Sequence, residues 1–469
     1  MTRTPKILVV ATVFGVLAVG AVVLKISTAA VAADPQLKGS HQQVTCGGEP
    51  CDSIARGLHA FRDRVLELGG NGRSCADCHM PSDSFQLSPA NAEARFQRLL
   101  QRRAEDPEAD DPLFRAIDAD DFRVNGQAAS DFSNLRQNGL IRVTFPLPST
   151  MRLVDPATGQ VTDETFVDVW RAVPTVQNVK LTGPQSSGPV WPRGPNTMGG
   201  FQYDARFGTL QDQALGALIN HAEVQGLPSQ QFLDDVSAFQ LQLFTNPSVR
   251  VLAEAIDAGT TPLPDPDPPL DELEQQGKAV FARACTQCHG GPGQSTPGDG
   301  ITRFGSIQAQ CPRPVDGPAF PGYTGTPRWS FKECPPRLAR NVRLYQVVRP
   351  NGQVTRRPTS DPGRSLLTGF ASLGAGAPPL VPPPLDDWQA LDAPQLRNLA
   401  KTAPYFHNNS ADTLEDMLDH YDQFFKFVRA NSPPPPAPVN PVLSTDGVHF
   451  DRPPTAAERA ALIAYLKKL

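Results

Sequence analysis

A cysteine pair with the spacing C-x-x-C, followed at once by a histidine, occurs twice in this chain. The two copies are Cys75, Cys78 and His79, and Cys285, Cys288 and His289. Such a pair can hold structural zinc, act as a redox dithiol, or attach a haem whose iron binds the histidine. Zinc needs two further Cys or His ligands, and the other cysteines form no second C-x-x-C pair. A thioredoxin-type dithiol needs a βαβ context, which is not visible. The repeated motif therefore predicts two covalent c-type haems.

The two motifs follow similar helical segments. Residues 53–68 carry apolar residues at helical spacing, with Asp52 as a capping residue, and "GGNG" ends the segment. The second motif follows "LEQQGKAVFARA", which is also compatible with a helix. Each half then runs through a long irregular stretch to a helix that opens T-L-Q-D at Thr209 or T-L-E-D at Thr413. This order predicts an internal duplication of one small, mainly helical domain.

The composition and the linker set the domain organisation. The chain has 469 residues, of which 49 are proline, and the charged fraction of 19% is that of a globular protein. So many prolines predict long irregular segments between helices rather than a sheet-rich body. The Pro-rich segment around residues 262–269 predicts a boundary between domains at residues 34–265 and 266–469. The net charge of −5 gives no basic patch for nucleic acid.

The N-terminus has the pattern of an export signal. Arg3 and Lys6 precede an apolar run over residues 7–24, and the small residues of "STAAVAADP" follow. Residues 1–33 are therefore either a cleaved signal peptide or a retained membrane anchor, because the run is just long enough to span a bilayer. Either alternative places the body outside the cytoplasm, and we expect a periplasmic protein in which disulfides are allowed. The even number of remaining cysteines favours two disulfides, Cys46 with Cys51 and Cys311 with Cys334.

Longer motifs carry a family resemblance. They are "WRAVPTVQN" from Trp170, "FQYDARFGTLQDQALGALINHAEV" from Phe201, and "LRNLAKTAPYFHNNSADTLEDMLDHYD" from Leu396. With the two haem motifs, in the same order, the chain resembles the bacterial dihaem cytochrome c peroxidase and MauG family over roughly half of its ordered length. The resemblance implies two cytochrome c-like helical domains with one covalent haem each. It also implies that the N-terminal haem (haem 1) is the reaction centre and that the C-terminal haem (haem 2) transfers electrons.

For haem 1, the resemblance implies an open iron site with a distal pair of residues. Residues 80–167 contain no histidine, so the distal histidine that many family peroxidases have is missing, and we expect haem 1 to be open. The pair that moves a proton between the peroxide oxygens falls on Gln202 and Asp212. A register shifted by one gives Phe201 and Gln211, which removes the acid. His221 is an alternative ligand that would close haem 1.

For haem 2, the family position of the sixth ligand falls on Tyr421. His420 and Met417 are alternatives, and since neighbours on a helix point about 100° apart, only one of them binds. The resemblance also implies an aromatic bridge between the haems, for which Trp191 is preferred to Trp170. Interdomain calcium would take backbone oxygens of Thr402 and Pro404. The amide of Asn178 is a candidate to complete that site, although Ala172 stands where the family motif has Asn.

These assignments predict a peroxidase. We expect an exported dihaem oxidoreductase that reduces hydrogen peroxide with electrons from a small donor protein of the cytochrome c or cupredoxin type. One alternative is a MauG-like or oxygenase-type enzyme that oxidises an organic or protein substrate, with residues 81–165 and 291–395 shaping a substrate channel. The other alternative is an electron carrier in which both irons are six-coordinate.

Overall fold

The computed structural model describes most of the chain after the N-terminal region. The described residues are 45–46, 49–122, 131–182, 201–204, 206–286, 289–291, 294, 336–371, 388–389, 391, 394–430 and 454–469. They all belong to one compact unit, Gly39–Leu469. Among them, no helix is long and apolar enough to cross a membrane. Residues 7–24, Trp191, Cys288, Cys311 and Cys334 lie outside the described residues.

Helices make up most of the described secondary structure, as expected. They are α1 Ser53–Arg62, α2 Cys75–Cys78, α3 Pro89–Glu105, α4 Ser133–Asn138, α5 Val179–Thr182, α6 Leu210–Asn220, α7 Gln230–Gln240, α8 Pro247–Asp257, α9 Glu272–Ala284, α10 Pro336–Ala339, α11 Ser365–Thr368, α12 Leu414–Ala430 and α13 Ala456–Leu466. Short 3₁₀ turns lie at Leu66–Leu68, Pro81–Asp83, Ala116–Asp118 and Leu399–Lys401.

The first helix was predicted over residues 53–68. Its start at Ser53 is confirmed, and its predicted end is wrong. The side chain of Asp52 accepts a hydrogen bond from the N–H of Ala55 at 2.8 Å, which satisfies one of the free N–H groups of α1. The helix ends at Arg62, because Asp63 is extended and Val65 has left-handed backbone with φ 44°. The carboxylate of Asp63 accepts from the N–H of Val65 at 3.0 Å and holds this turn. The predicted continuation to residue 68 is therefore replaced by a turn and a 3₁₀ segment.

A close helix crossing occurs twice, once in each half. In the first half α1 crosses α7, and a Cβ built on Gly57 would lie 1.9 Å from the carbonyl oxygen of Asp235. In the second half α9 crosses α13, and a Cβ on Gly277 would lie 2.0 Å from the carbonyl oxygen of Ala461. Only glycine permits such an approach of two helix backbones. In each crossing the first helix precedes a C-x-x-C-H motif and the second helix lies far C-terminal to it, so the repeated order in the sequence has a counterpart in the packing.

Two sheets lie in the segments that sequence reasoning expected to be irregular. The first consists of β3 Leu140–Pro146 antiparallel to β5 Phe166–Ala172, and the second has the order β4 Met151–Val154, β6 Arg343–Val348, β7 Val354–Thr359. A short hairpin, β1 Thr45–Cys46 with β2 Glu49–Pro50, precedes α1. The expectation of irregular structure is wrong here, because the strands are rich in β-branched and aromatic residues that favour a pleated, buried surface. The pairing of β4 with β6 joins the two halves of the chain.

The apolar cores follow this arrangement. One core gathers Phe61, Val236 and Phe239 around the α1–α7 crossing, and another gathers Phe281, Leu462 and Tyr465 around the α9–α13 crossing. A third core lies under the sheet of β4, β6 and β7 and contains Tyr345 and Trp388. The domain boundary near residues 262–269 stays a prediction.

Candidate haem sites

The first C-x-x-C-H motif is built by a single turn of helix. The carboxylate of Asp77 accepts hydrogen bonds from the N–H and the hydroxyl of Ser74, both at 2.9 Å, which caps the start of α2. The N–H of His79 donates to the carbonyl of Cys75 at 2.9 Å. Nδ1 of His79 lies 3.2 Å from the backbone oxygen of Phe85. A histidine that donates from Nδ1 to a carbonyl leaves Nε2 available for a metal.

The histidine of the second motif makes the same two kinds of hydrogen bond. The N–H of His289 donates to the carbonyl of Cys285 at 2.8 Å, and Nδ1 of His289 lies 3.0 Å from the backbone oxygen of Gln294. Burial lowers the pKa of both His79 and His289, and backbone hydrogen bonds raise it in part, including those to Pro174 for the first ring and Pro394 for the second. Both imidazoles are therefore neutral, which is the form that binds iron.

The three motif thiols that the structure describes do not have the character of redox cysteines. Cys75, Cys78 and Cys285 are free thiols in the described part of the chain. Burial raises the pKa of Cys75 and of Cys285 to about 12, and that of Cys78 to about 11. A thioredoxin-type dithiol has a lowered pKa instead. No group of three or more His, Cys, Asp or Glu side chains converges as a metal-ion site within the described residues.

The environment of each histidine fits a haem. Around His79, the ring of Phe61 lies 6.3 Å away and packs on Phe85 and Phe239, so the wall is aromatic. Beside His289 there is a cavity of about 420 Å³ whose lining includes Phe281, Tyr465 and Arg397.

Arg397 gives the second site a specific polar fit. This side chain is buried, and its Nε has no hydrogen-bond partner among the described residues. One of its other nitrogens pairs with Asp267 at 3.2 Å, and Asp267 also accepts from Lys278 and Tyr465, each at 2.8 Å. A buried donor without a partner is costly, and a haem propionate is a group that would satisfy it. Sequence reasoning did not single out Arg397, although it stands in the motif "LRNLAKTAPYFH".

The candidates for the sixth ligand of haem 2 lie together on α12. The ring of His420 is buried and packs edge-on against Phe406, at 5.0 Å between ring centroids. Tyr421 is partly buried, and its ring lies 6.3 Å from that of Phe406. Met417 is partly buried against the same apolar core. The predicted caps are present, since the hydroxyl of Thr413 accepts from the N–H of Asp416 at 3.0 Å.

The predicted distal residues of haem 1 lie on a loop and on the first turn of α6. Gln202 is partly buried and has left-handed backbone with φ 76°. The N–H of Asp212 donates to the hydroxyl of Thr209 at 3.0 Å, and its carboxylate is exposed. In the shifted register, Gln211 donates to Asp234 on the surface at 3.1 Å, and Phe201 forms a backbone bridge with Phe207.

A buried charge cluster lies beside Gln202. Asp204 pairs with Arg206 at 2.8 Å and with Arg171 at 2.6 Å. Arg171 also binds Asp361 through two nitrogens, at 2.7 and 3.1 Å. Burial lowers the pKa of Arg171, and the charges of Asp361 and Asp204 outweigh that effect and raise it. Sequence reasoning missed Asp361, because an Asp-Pro-Gly segment indicates only a turn.

His221 lies at the C-terminal end of α6. Its Nδ1 is buried without a hydrogen-bond partner among the described residues, and its backbone oxygen accepts from Asn71 at 3.0 Å and from Arg73 at 3.3 Å. Burial lowers the pKa of His221 to about 4, so the ring is neutral. The segment with His221 is thus held against the chain that leads into α2.

The remaining predicted residues are placed as follows. Trp170, the alternative bridge residue, is buried in a cluster to which Tyr203 also belongs. The amide of Asn178 exchanges hydrogen bonds with Thr245, its oxygen accepting from the N–H at 3.0 Å and its nitrogen donating to the hydroxyl at 3.2 Å. Thr402 donates to the carbonyl of Asn398 at 3.3 Å, and Pro404 follows a cis peptide bond. The calcium site stays a prediction.

Cys51 is disulfide-bonded, as predicted, and its pairing with Cys46 stays a prediction.

Solved structures that match the chain include dihaem enzymes. A MauG-like protein associated with microbial copper homeostasis is 18% identical, with 91% of each chain covered and a TM-score of 0.38. The dihaem peroxidase BthA from Burkholderia thailandensis is 17% identical, with 89% of this chain and 85% of that chain covered and a TM-score of 0.40. A hydrazine synthase chain from Kuenenia stuttgartiensis is 16% identical, with 76% of this chain and 86% of that chain covered and a TM-score of 0.30. No family model and no curated protein matches the chain. At these identities and TM-scores, the assignment of function rests on the residues of the two sites.

Proposed function

We propose that the chain is an exported dihaem c-type oxidoreductase that reduces hydrogen peroxide with electrons from a small periplasmic donor protein. The observation that carries this proposal is the repeated geometry at His79 and His289. Each ring is held through Nδ1 by a backbone carbonyl five or six residues later, beside free cysteine thiols. When bound, a haem with one open side takes peroxide, and a haem with two protein ligands transfers electrons.

The chain's own residues have separate parts in this proposal. The thiols of Cys75, Cys78, Cys285 and Cys288 attach the two haems, and His79 and His289 hold the irons through Nε2. Gln202 donates a hydrogen bond to the peroxide substrate, and Asp212 moves a proton between its two oxygens. Tyr421 binds the iron of haem 2, with His420 as the alternative. Trp191 connects the two haems, and Thr402 and Pro404 contribute to a calcium site.

A second candidate function is the MauG-like oxidation of an organic or protein substrate. Tyrosine at position 421, in place of the methionine of the classical peroxidases, favours it, since a phenolate ligand lowers the potential of a haem. The sheet of β4, β6 and β7 also favours it, because its strands lie in the two segments, residues 81–165 and 291–395, that this alternative expects to shape a substrate channel.

The test is turnover of the purified holoprotein with hydrogen peroxide and a reduced small cytochrome, with an EPR spectrum of the resting protein. Fast turnover with a high-spin signal supports the peroxidase. A high-spin signal without turnover favours the MauG-like alternative. Low-spin signals alone without turnover, also after partial reduction, contradict both enzymatic functions and leave an electron carrier. The variant C75A/C78A should lose one of two covalently attached haems, which denatured protein reports through its haem absorbance.

A further inference from the structure

The loop that carries Gln202 is held in a costly conformation. Residues 201–207 close on themselves, since the N–H of Phe201 donates to the carbonyl of Phe207 at 2.8 Å and the reverse bond is 3.4 Å long. Inside this loop Gln202 has φ 76°, a left-handed backbone conformation that is strained for a non-glycine residue. Such a conformation persists only where neighbouring contacts hold it. The contacts of this loop therefore decide where the side chain of Gln202 lies.

The strongest of these contacts are made by Asp204. Its carboxylate is fully buried and accepts from Arg171 at 2.6 Å and from Arg206 at 2.8 Å. Its backbone oxygen accepts from Arg364 at 3.0 Å. Arg206 belongs to the loop itself, whereas Arg171 lies at the end of β5 and Arg364 lies beyond β7. The loop is thus fixed from outside by two arginines of different segments.

Arg171 is in turn held by Asp361, from the second half of the chain. The guanidinium binds the carboxylate of Asp361 through two nitrogens, and the side chains are 4% and 1% exposed. The same carboxylate accepts from the N–H of Gly363 at 2.8 Å, and the N–H of Asp361 donates to the hydroxyl of Thr359 at 3.2 Å. One buried guanidinium therefore divides its donors between two carboxylates that lie 157 residues apart in sequence.

The same cluster contacts the segment that precedes α12. The residue after Arg171, Ala172, donates its N–H to the carbonyl of His407 at 2.6 Å. Nε2 of His407 lies 4.0 Å from the carboxylate of Asp361, and its ring stands edge-on to that of Tyr203 at 6.2 Å. Tyr203 follows Gln202 directly. The cluster thus connects the Gln202 loop with the segment that packs on His420 and Tyr421.

We propose that Asp361 is a positioning residue for the reaction at haem 1. It orients the guanidinium of Arg171, which holds Asp204 and thereby fixes the backbone of Gln202. The inference rests on the proposed function in one respect, that Gln202 faces the open side of haem 1. Asp361 itself touches neither haem nor substrate in this proposal.

The test is the substitution Asp361→Asn in the holoprotein. The amide keeps the size of the carboxylate but removes the charge and turns one acceptor into a donor facing Arg171. We expect cyanide to bind haem 1 about 10- to 100-fold more slowly, because a misplaced group at a reacting centre costs about that much. The high-spin EPR signal of haem 1 should change its line shape, while the absorbance of haem 2 stays as in the wild type. Cyanide reports on the distal pocket without requiring peroxidase turnover.

Two further variants keep the result interpretable. Asp168→Asn is the matched control. Asp168 lies on β5, the strand that carries Arg171, and its carboxylate pairs with a different arginine, Arg142, at 3.4 Å. We expect it to leave cyanide binding within twofold of wild type, although it also removes a partly buried carboxylate. Arg171→Lys keeps the positive charge but cannot bind both carboxylates in the same way, and it should slow cyanide binding as Asp361→Asn does. It decides the question if Asp361→Asn does not accumulate as holoprotein.

The outcomes separate this inference from the proposed function. If Asp361→Asn binds cyanide at the wild-type rate and has wild-type spectra, the positioning role is overturned. Where Asp361→Asn does not accumulate, the same result in Arg171→Lys overturns it. An equal loss in Asp168→Asn also overturns it, because the effect would then be general destabilisation. If the wild-type protein shows no peroxide turnover while Asp361→Asn still slows cyanide binding, the peroxidase function fails and the positioning role stands.

Discussion

At the scale of single residues, buried histidines of this chain are kept neutral. His79 and His289 have Nδ1 next to a backbone oxygen, and His407 lies in a buried cluster with Arg171 and Asp361. Burial removes water from the imidazolium form, and the hydrogen bonds and charged partners of these rings restore its stability only in part. These rings therefore remain in the uncharged form in the native state at neutral pH.

Acid should destabilise the protein through His407. Its pKa is lowered to about 4, mainly by burial, while the nearby charge of Asp361 raises it in part and that of Arg171 lowers it. In the unfolded chain the ring takes up a proton near pH 6.5, so unfolding binds protons between pH 6.5 and 4. Keeping His407 neutral therefore contributes up to about 3 kcal/mol to the free energy of unfolding. This contribution is fully present above pH 6.5 and is lost as the pH falls towards 4. Chemical denaturation at several pH values should show a shallower fall in His407→Gln. An unchanged slope contradicts this assignment.

The ligand of haem 2 can be assigned by two neighbouring substitutions. Tyr421→Phe removes the phenol oxygen and keeps the ring that contacts Phe406. We expect the low-spin EPR signal of haem 2 to be lost or shifted in Tyr421→Phe and retained in His420→Gln. Both variants lose polar groups of one helix, so each is the control for the other. The reverse pattern would assign the iron to His420 instead.

At the scale of elements, two glycines bring helices into backbone contact. Gly57 on α1 and Gly277 on α9 each face the carbonyl oxygen of a crossing helix at a distance that leaves no room for a methyl group. The helices themselves follow from local signals, such as the capping box of Asp271 and Glu274 at the start of α9. The crossing depends on a partner helix far along the chain, and helical periodicity does not contain that information.

Filling one crossing should destabilise the protein measurably. In Gly277→Ala, the new Cβ would lie 2.0 Å from the carbonyl oxygen of Ala461, so α9 and α13 must separate. We expect the free energy of unfolding to fall by about 1–3 kcal/mol, as for other overpacked cores. Gly208→Ala is the control, since a Cβ there meets nothing within 4 Å in the described structure, and we expect less than about 0.5 kcal/mol. Equal midpoints in thermal unfolding of the two variants would show that the crossing tolerates a methyl group.

At the scale of the whole molecule, the two halves of the chain are connected by several buried contacts. β4 of the first half pairs with β6 of the second, and Gln86 donates to the carbonyls of Lys401 and Ala403 at 3.3 and 3.4 Å. The amides of Asn134 and Asn341 hydrogen-bond each other reciprocally, each at 2.9 Å, and both are buried. Such contacts favour unfolding of both halves in one cooperative transition.

The amide pair offers a direct measure of this connection. Asn341→Ala leaves an amide of Asn134 buried with fewer partners, which should cost about 1–3 kcal/mol of stability. In the double variant Asn134→Ala/Asn341→Ala, both polar groups are gone, and the cost should be smaller than the sum of the single costs. Calorimetry of the wild type, the two single variants and the double variant gives the coupling free energy between the two amides. Strictly additive costs would show that the two halves do not depend on this pair.

Local chemistry alone determined the C-x-x-C-H motifs, the helix caps and the helical segments. These features depend on residues within about four positions of each other, so the pattern of side chains is sufficient to predict them. The same holds for the ion pair of Asp204 and Arg206, which are two residues apart. The resemblance to dihaem peroxidases rests on such short motifs, and it pointed to Gln202, Asp212 and Tyr421 as candidate site residues.

Only the tertiary structure decided which distant residues meet. Asp361 meets Arg171 across 190 residues, β4 pairs with β6 across a similar separation, and Arg397 presents an Nε without a partner among the described residues. Ion pairs and strand partners of this kind depend on which surfaces the fold brings together, and burial then makes each charge depend on its partner. A turn sequence such as "SDPGR" carries no sign of that partner, so the role proposed for Asp361 follows from the fold alone.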